Sequence, residues 1–259
     1  MNQLKKTVLF DLHVSLGAQI VPFGGWDMPI QYSSILREAK AVRSHAGVFD
    51  VSHMGLVEIK GKQAEEFLNL IVTADVSRMA FGRARYTLIC NEYGGIIDDT
   101  ILYRFDEQNF LLVPNAANTD DVLQWIYKWK SNWGISVEVN LLTDHNALIA
   151  LQGPKAESIL SKVCGLNISE LRIFRCKKFT IEKIPVIVCR TGYTGEDGFE
   201  LVVPSEGARY IWEKFIELGA VPCGLGSRDV LRLEAGLLLH GSDMDSSVNP
   251  LEAGLDRFV

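Results

Sequence analysis

Two neighbouring aspartates are the residues of this sequence most able to do chemistry. The segment "GGIIDDTILYRF" (residues 94–105) places Asp98 and Asp99 in a predicted strand. Because successive strand residues point to opposite faces, Asp98 falls on a mostly polar face and Asp99 on an otherwise apolar one. Burying an ionised carboxylate is costly unless partners or a ligand compensate it. We therefore expect Asp98 to be solvated and Asp99 to be a site residue. Two alternatives stay open, namely a structural role for Asp99, at a sheet edge or in a hydrogen bond, and a one-residue register shift that exchanges the two acids.

A glycine-rich turn, "RTGYTGEDGFEL" (residues 190–201), is the second candidate. Glycine permits positive φ and a close approach of the backbone to a ligand, so the glycines at 192, 195 and 198 are expected to make room for one. Glu200 lies where a strand leaves this turn, which is a common place for ligand-contacting groups. The sequence therefore predicts that Glu200 contacts a ligand.

Single polar residues in three further places are weaker candidates. Ser227 is a plausible helix cap, which would put Arg228 in the first turn, where a cation opposes the helix dipole. Asn115 ends a predicted strand and could offer an amide, although a lone asparagine is more often a turn former. Glu196 and Asp197 are expected to be solvated turn residues.

Composition and charge exclude several classes of function. The chain has 259 residues and a net charge of −6, which argues against sequence-independent binding of nucleic acid. Its five cysteines are not spaced as zinc ligands or as a redox pair, so we expect no metal. No window approaches the roughly 18 apolar residues of a membrane span. These features predict a cytoplasmic protein with free thiols, without a membrane or nucleic-acid partner.

The periodicity of apolar residues predicts an α+β fold with largely antiparallel sheets. A hairpin is expected where "NEYGG" joins residues 86–90 to 96–105. Strands and helices do not alternate strictly, which argues against a parallel sheet. An arrangement in two interleaved lobes stays open. Helices are predicted at residues 33–44, 62–72, 118–133, 153–165 and 205–219.

At this level of detail the chain resembles the aminomethyltransferases, the T-proteins of the glycine cleavage system. Six blocks occur in the order of that family: "LHVSLGAQIVPFGGWDMPIQY", "GVFDVSHMGLVEIKG", "NEYGGIIDD", "ALIALQGP", "RTGYTGEDGFEL" and "GLGSRDVLRLEAGL". The resemblance implies a folate-binding domain over residues 1–259. It also implies two interleaved lobes, with about 52–135 as the inserted one.

The resemblance also implies a reaction. Lipoylated H-protein would present an aminomethyl group, tetrahydrofolate would take its carbon as co-substrate, and ammonia and dihydrolipoyl H-protein would leave. The key aspartate of the family falls on Asp99, which would hold the attacking folate nitrogen and favour the cationic state formed as ammonia departs.

Five further residues match binding positions of the family. Glu200 matches the pterin-binding glutamate, whose carboxylate accepts two hydrogen bonds from the amino-pyrimidine edge. Arg228 matches a binding arginine. The remaining matches are folate-lining positions, at Tyr193, Asn115 and Tyr86.

One departure from the family and three rival interpretations remain. The family continues into a C-terminal barrel domain that these 259 residues do not include, so we expect folate binding to survive without it and transfer activity to suffer. One rival is a folate-binding module without turnover. Another is the relative that supports iron–sulfur assembly and RNA modification, whose K-G-C-Y-x-G-Q-E signature has a cysteine that "RTGYTGED" lacks. Sarcosine and dimethylglycine dehydrogenases share the fold, but their flavin domain has no counterpart here.

Overall fold

The computed structural model describes residues 3–165 and 167–259, which form two compact units. Of these described residues, unit 1 holds those within Met1–His53 and His145–Leu237, and unit 2 holds those within Met54–Asp144 and Leu238–Val259. Residues 54–144 overlap the inserted lobe predicted at about 52–135, whereas the assignment of these units as folate-binding lobes stays a prediction. No helix within the described residues is both long and apolar enough to cross a membrane.

The strands are short and numerous, as the alternating pattern predicts. They are β1 (Lys5–Lys6), β2 (Gln19–Phe23), β3 (Trp26–Gln31), β4 (Gly47–Asp50), β5 (Val57–Lys60), β6 (Arg83–Cys90), β7 (Ile96–Arg104), β8 (Asn109–Val113), β9 (Glu138–Leu141), β10 (Asn146–Gln152), β11 (Cys176–Ile181), β12 (Ile184–Cys189), β13 (Gly198–Pro204) and β14 (Val221–Pro222).

The five helices predicted from periodicity are confirmed, the expected helix around Arg228 is present, and one further short helix lies near the N-terminus. The helices are α1 (Phe10–Ser15), α2 (Ile35–Ser44), α3 (Ala64–Ile71), α4 (Thr119–Asn132), α5 (Ala156–Cys164), α6 (Ser205–Glu217) and α7 (Leu225–Glu234). Short 3₁₀ turns are found at Val76–Arg78, Ala116–Asn118, Thr143–His145 and Asp256–Phe258.

Local signals explain where these helices begin and end. Ser34 caps α2 by accepting a hydrogen bond from the Arg37 amide at 3.4 Å. Gly165 ends α5 with φ of 62°, in the left-handed conformation that glycine adopts without strain. Helix α2 buries Ala39 and Val42, whereas Leu36 near its start is 73% exposed.

Unit 1 is built on a six-stranded sheet of order β11-β12-β13-β10-β4-β14. All its pairs are antiparallel except β14 with β4, and a small three-stranded sheet, β1-β3-β2, accompanies it. Helices α5 and α6 bury Leu160, Trp212 and Phe215 with the sheet residues Ile149 and Phe199. The predicted α+β class with largely antiparallel sheets is confirmed.

A buried carboxylate anchors the centre of unit 1. Asp50, at the end of β4, accepts hydrogen bonds from the Thr7 hydroxyl at 2.6 Å and the Ser52 amide at 2.9 Å. Its Oδ2 also lies 2.8 Å from Nε2 of the buried His13. Burial would raise the pKa of Asp50. The His13 contact and the hydrogen bonds from the Ser52 and Thr7 hydroxyls outweigh this effect and hold that pKa below its usual range.

Unit 2 contains a five-stranded antiparallel sheet of order β6-β7-β8-β5-β9. Helices α3 and α4 pack Phe67, Leu68 and Ile126 against one cluster of sheet residues. A second cluster joins Leu88 and other sheet residues to the segment 238–259. The predicted hairpin of β6 and β7 is present, with a register irregularity at Ile89/Cys90, and it positions the aspartate pair.

Candidate functional site

Asp98 is completely buried, so the prediction that it would be solvated is wrong. Leu102 on the same face of β7 packs in one cluster with residues of α3 and α4, and the polar residues on that face each have a partner. Thr100, for example, accepts a hydrogen bond from the Val113 amide at 3.1 Å. A polar strand face does not have to meet water when its groups are hydrogen-bonded inside the protein.

The burial of Asp98 is compensated by three nitrogen donors. The Asn115 amide donates to Oδ2 at 2.9 Å, and Nδ2 of Asn115 and Nδ2 of Asn118 donate to Oδ1 at 2.9 and 2.6 Å. Burial, and then the negative charge of Asp99, raise the pKa of Asp98 to about 7 in spite of these bonds.

Asp99 is part-buried and is held by two of the other predicted site residues. The Tyr86 hydroxyl donates to its Oδ2 at 3.0 Å, and Nδ2 of Asn115 donates to its Oδ1 at 2.9 Å. Burial raises the pKa of Asp99, while Tyr86, His240 and Asn115 act in the opposite direction. Unit 2 therefore brings together Asp99, Tyr86 and Asn115.

Glu200, Arg228 and Tyr193 belong to unit 1. Glu200 lies on β13 and accepts a hydrogen bond from the Thr191 hydroxyl at 2.7 Å. The Arg228 guanidinium lies over the Tyr193 ring, 4.8 Å from its centre, in a cation–π arrangement. Because Glu200 and Tyr193 both raise the pKa of Arg228 electrostatically, the three side chains act on one another.

One buried nitrogen of Arg228 has no partner among the described residues. Its Nη1 is excluded from water and makes no hydrogen bond there, which is expensive for a guanidinium. Burial lowers the pKa of this arginine, against the contributions of Glu200 and Tyr193. An unpaired buried donor of this kind is a candidate to contact a ligand that offers a carbonyl or ring-nitrogen acceptor.

The position of Arg228 differs from the prediction. Helix α7 begins at Leu225 with Gly224 as its N-cap, so Ser227 is not the cap. The Ser227 hydroxyl instead donates to the Gly224 carbonyl at 2.9 Å, and the Gly224 amide donates to a Glu38 carboxylate oxygen at 2.9 Å. A buried acid satisfies the helix end, and Arg228 is the fourth residue of the helix.

The glycine-rich turn is organised around Gln152, which corrects the prediction that its glycines make room for a ligand. A Cβ on Gly192 would lie 1.9 Å from Oε1 of Gln152, and one on Gly198 would lie 2.5 Å from its Nε2. Only Gly195 of the three has a positive φ, 78°. Two of the three glycines therefore accommodate a buried side chain of the protein itself.

The two acids of this turn form ion pairs rather than being simply solvated. Glu196 lies 3.1 Å from the Arg43 guanidinium, and Asp197 lies 2.6 Å from that of Arg190. The pairs tie the middle of the turn to Arg43 and Arg190, and they leave Glu200 as its functional candidate.

His53 is a buried residue that the sequence reasoning missed. Its Nδ1 has no hydrogen-bond partner among the described residues. Burial lowers its pKa to about 4, with Asp50 acting against that shift and Arg228 adding to it. The imidazole is therefore neutral at physiological pH, and its block "DVSHM" gave no periodic signal that could have marked it.

A groove of about 450 Å³ lies within unit 2. Helix α4 and the segment 238–246 line it, and Asn118 joins it to the hydrogen-bonded shell of Asp98. None of the six predicted site residues is among its lining residues, which are Ile97, Asn118, Asp121, Gln124, Trp125, Lys128, His240 and Ser246.

Comparison with known proteins gives matches along the described fold and site. Residues 9–259 match the family described as "GCVT N-terminal domain". The aminomethyltransferase of Thermoanaerobacter pseudethanolicus is 45% identical over 100% of this chain and 71% of its own length. That of Symbiobacterium thermophilum is 47% identical over 98% of this chain and 70% of its own length.

Solved structures agree with these matches. The glycine cleavage system aminomethyltransferase T of Bartonella henselae superposes with a TM-score of 0.91 at 39% identity, over 99% of this chain and 70% of that one. A heterotetrameric sarcosine oxidase of Corynebacterium sp. U-96 matches at 14% identity and a TM-score of 0.55, which shows a shared fold alone.

The fold and the matches define a glycine cleavage T-type domain, with the α+β architecture that the sequence predicted. The chain belongs to the aminomethyltransferase family. The predicted family and transferase class are thereby confirmed, and the iron–sulfur and RNA-modification alternative is not favoured. Aminomethyltransferases use tetrahydrofolate as substrate and work with H-protein in the glycine cleavage system.

Proposed function

We propose that this chain moves the methylene carbon of a lipoyl-bound aminomethyl group on H-protein to tetrahydrofolate, releasing ammonia. The carbon loses its bonds to nitrogen and sulfur and gains bonds to two folate nitrogens. The two protons that those nitrogens lose leave on ammonia and on the dihydrolipoyl sulfur. We expect this reaction in the cytoplasm and without a metal ion.

The observation that carries the proposal is the arrangement at Asp99. Its two carboxylate oxygens are oriented by Tyr86 and Asn115, and each retains a lone pair for a further donor. A fixed carboxylate can accept the N–H of the attacking folate nitrogen and stabilise positive charge that develops on the transferred carbon. Electrostatic stabilisation and positioning are thus the proposed role of Asp99.

The unit 1 residues supply the proposed pterin contacts. Glu200 can accept two hydrogen bonds from an amino-pyrimidine edge. Arg228 has an unpaired Nη1 for an acceptor on the ring, and its guanidinium is held over Tyr193. Asn115 and Tyr86, beside Asp99, are proposed to line the folate as well.

Calorimetric titration with tetrahydrofolate, followed by measurement of ammonia released from aminomethyl-loaded H-protein, tests this function. Asp99→Asn should bind folate nearly as the unaltered chain does and lose most ammonia release, whereas Asp144→Asn, at an exposed position, should change neither. Folate binding without ammonia release in the unaltered chain would instead support the alternative of a binding module without turnover.

The pterin contact is tested separately through Glu200. Glu200→Gln should weaken tetrahydrofolate binding by about 1–3 kcal/mol if a charge-assisted pair is lost. Glu170→Gln, an exposed control in the same unit, should leave affinity unchanged. Equal affinities for both variants would remove Glu200 from the site.

A further inference from the structure

Every hydrogen-bond partner of the Asp98 carboxylate among the described residues is a donor. Its three partners are the Asn115 amide, Nδ2 of Asn115 and Nδ2 of Asn118, at 2.9, 2.9 and 2.6 Å. An ionised carboxylate accepts all three bonds, whereas a protonated one would turn an O–H towards a donor. The geometry therefore requires Asp98 as an acceptor, and an amide side chain at this position would conflict with at least one donor.

Asn115 joins the two acids. Its Nδ2 lies 2.9 Å from Oδ1 of Asp98 and 2.9 Å from Oδ1 of Asp99, and its backbone amide donates to Oδ2 of Asp98. Asp98 thus holds Asn115 at two points, the backbone amide and the side-chain nitrogen. Because both carboxylates accept, the nitrogen of the Asn115 amide must face them, and its oxygen must point elsewhere.

We propose that Asp98 is a positioning residue for aminomethyl transfer, whose ionised carboxylate fixes Asn115 and, through Asn115, the orientation of Asp99. This inference rests on the proposed role of Asp99 at the folate. Asp98 itself touches no reacting atom in this scheme. It keeps one of the two donors to Asp99 in place while the substrate binds.

The surroundings of the pair include the groove of unit 2 and several ionisable groups. Asn118, which donates to Asp98, also lines the groove of unit 2, so the hydrogen-bonded shell of this acid extends to a space open to water. The charged and titratable groups around the pair are the two acids, Tyr86 on β6 and His240 on the segment after α7. With its pKa raised to about 7, Asp98 gains a proton as the pH falls through neutrality and releases its hold on Asn115.

The first measurement is the pH dependence of the Asn115 side-chain amide in a nitrogen–proton NMR spectrum. In the unaltered chain the signal should titrate near pH 7. Asn118→Ala removes one donor to Asp98, so the step near pH 7 should move to higher pH, and Asp98→Asn should abolish that step. Asn132→Ala, at an exposed asparagine of the same unit, is the matched control and should leave the titration unchanged.

The second measurement is the pH profile of ammonia release with tetrahydrofolate and loaded H-protein. Asp98→Asn should lower kcat about 10–100-fold with little change in KM for folate, because misplacement of a catalytic group costs rate rather than binding. Asn118→Ala should retain the kcat of the unaltered chain above pH 8.5 and move the acid limb upwards. An Asp98→Asn chain within twofold of the unaltered one, or an unmoved limb and an unmoved Asn115 titration in Asn118→Ala, would overturn the proposal.

The two readouts separate this inference from the proposed function. Loss of ammonia release from every variant, including the unaltered chain, would contradict the transfer activity, whereas the Asn115 titration would still decide whether Asp98 fixes that amide. If Asp98→Asn does not fold, Asn118→Ala alone carries the test.

Discussion

A methyl group added to Gly192 should destabilise unit 1 more than a change at a surface turn normally does. The new Cβ would lie 1.9, 2.6 and 2.7 Å from Oε1, Cδ and Nε2 of Gln152, which is fully buried. Gln152 would have to leave its place, where Nε2 donates to the Thr191 carbonyl at 3.1 Å and Oε1 accepts from the Thr194 hydroxyl at 2.8 Å. Two hydrogen bonds of about 1 kcal/mol each, with the cost of leaving their buried partners unpaired, give a loss of about 2–4 kcal/mol for Gly192→Ala.

Urea denaturation of the single and double variants checks this value. Gln152→Ala should cost a similar amount alone, and Gly192→Ala should cost less than about 0.5 kcal/mol when Gln152→Ala is already present, since the obstructing side chain is gone. The coupling between the two sites is the critical quantity. A full cost for Gly192→Ala in the Gln152→Ala background, or no cost in the unaltered chain, would refute the view that Gln152 organises the turn.

Three further predictions concern the acids of the two units. Tyr86→Phe should lower kcat about tenfold, because it removes a hydrogen bond to a charged acceptor. Since that bond lowers the pKa of Asp99, the acid limb of the pH–rate profile should also move to higher pH. Thr191→Val removes the donor at 2.7 Å from Glu200, and calorimetry should show tetrahydrofolate bound about fivefold more weakly, with Glu200→Gln as the reference variant. Asp50 has a depressed folded-state pKa, so its contribution to stability is complete above the unfolded pKa of about 3.9 and is lost as pH falls towards the folded value. Acid titration followed by circular dichroism should therefore show a shallower loss of stability below pH 4 in Asp50→Asn than in the unaltered chain.

The secondary structure was predictable where one local signal was sufficient. Helix α2 follows from its serine cap, α5 from its terminal glycine, and the β6–β7 hairpin from apolar strands around a turn. The order β11-β12-β13-β10-β4-β14 could not be obtained in this way, because it joins strands that are far apart in sequence. Pairing between distant strands does not change the periodicity of residues in either strand, so the sequence of one strand does not identify the other.

The candidate site shows what can and cannot be predicted from the alternating faces of a β-strand. The selection of Asp99 relied on a polar face meeting water, yet Asp98 on that face is the more buried acid. Its partners, Asn115 and Asn118, lie beyond the next strand, β8. The alternation of polar and apolar residues along β7 alone cannot predict them. The role of Asp99 stays a prediction, supported by family resemblance and by its contacts with Tyr86 and Asn115.

The glycine-rich turn was misjudged for a similar reason. Glycine permits positive φ, and we expected a ligand to occupy the space that the missing side chains leave. The occupant is Gln152 from β10, which pairs directly with β13. The lack of a side chain in one segment can only be interpreted once the neighbouring strand is known.

The chain passes between the two units three times, at residues 53/54, 144/145 and 237/238. This connectivity affects folding during synthesis on the ribosome. About 100 residues are synthesised between β4 and its partner β10, and about 170 between β4 and its partner β14. At about 5–20 residues per second, β4 therefore lacks these partners for roughly 5 to 35 seconds. During that interval an apolar strand with open edges is exposed to other chains. Slower growth at low temperature, or a chaperone that shields nascent strands, should therefore raise the yield of native protein, and no single cut in the gene can release either unit intact.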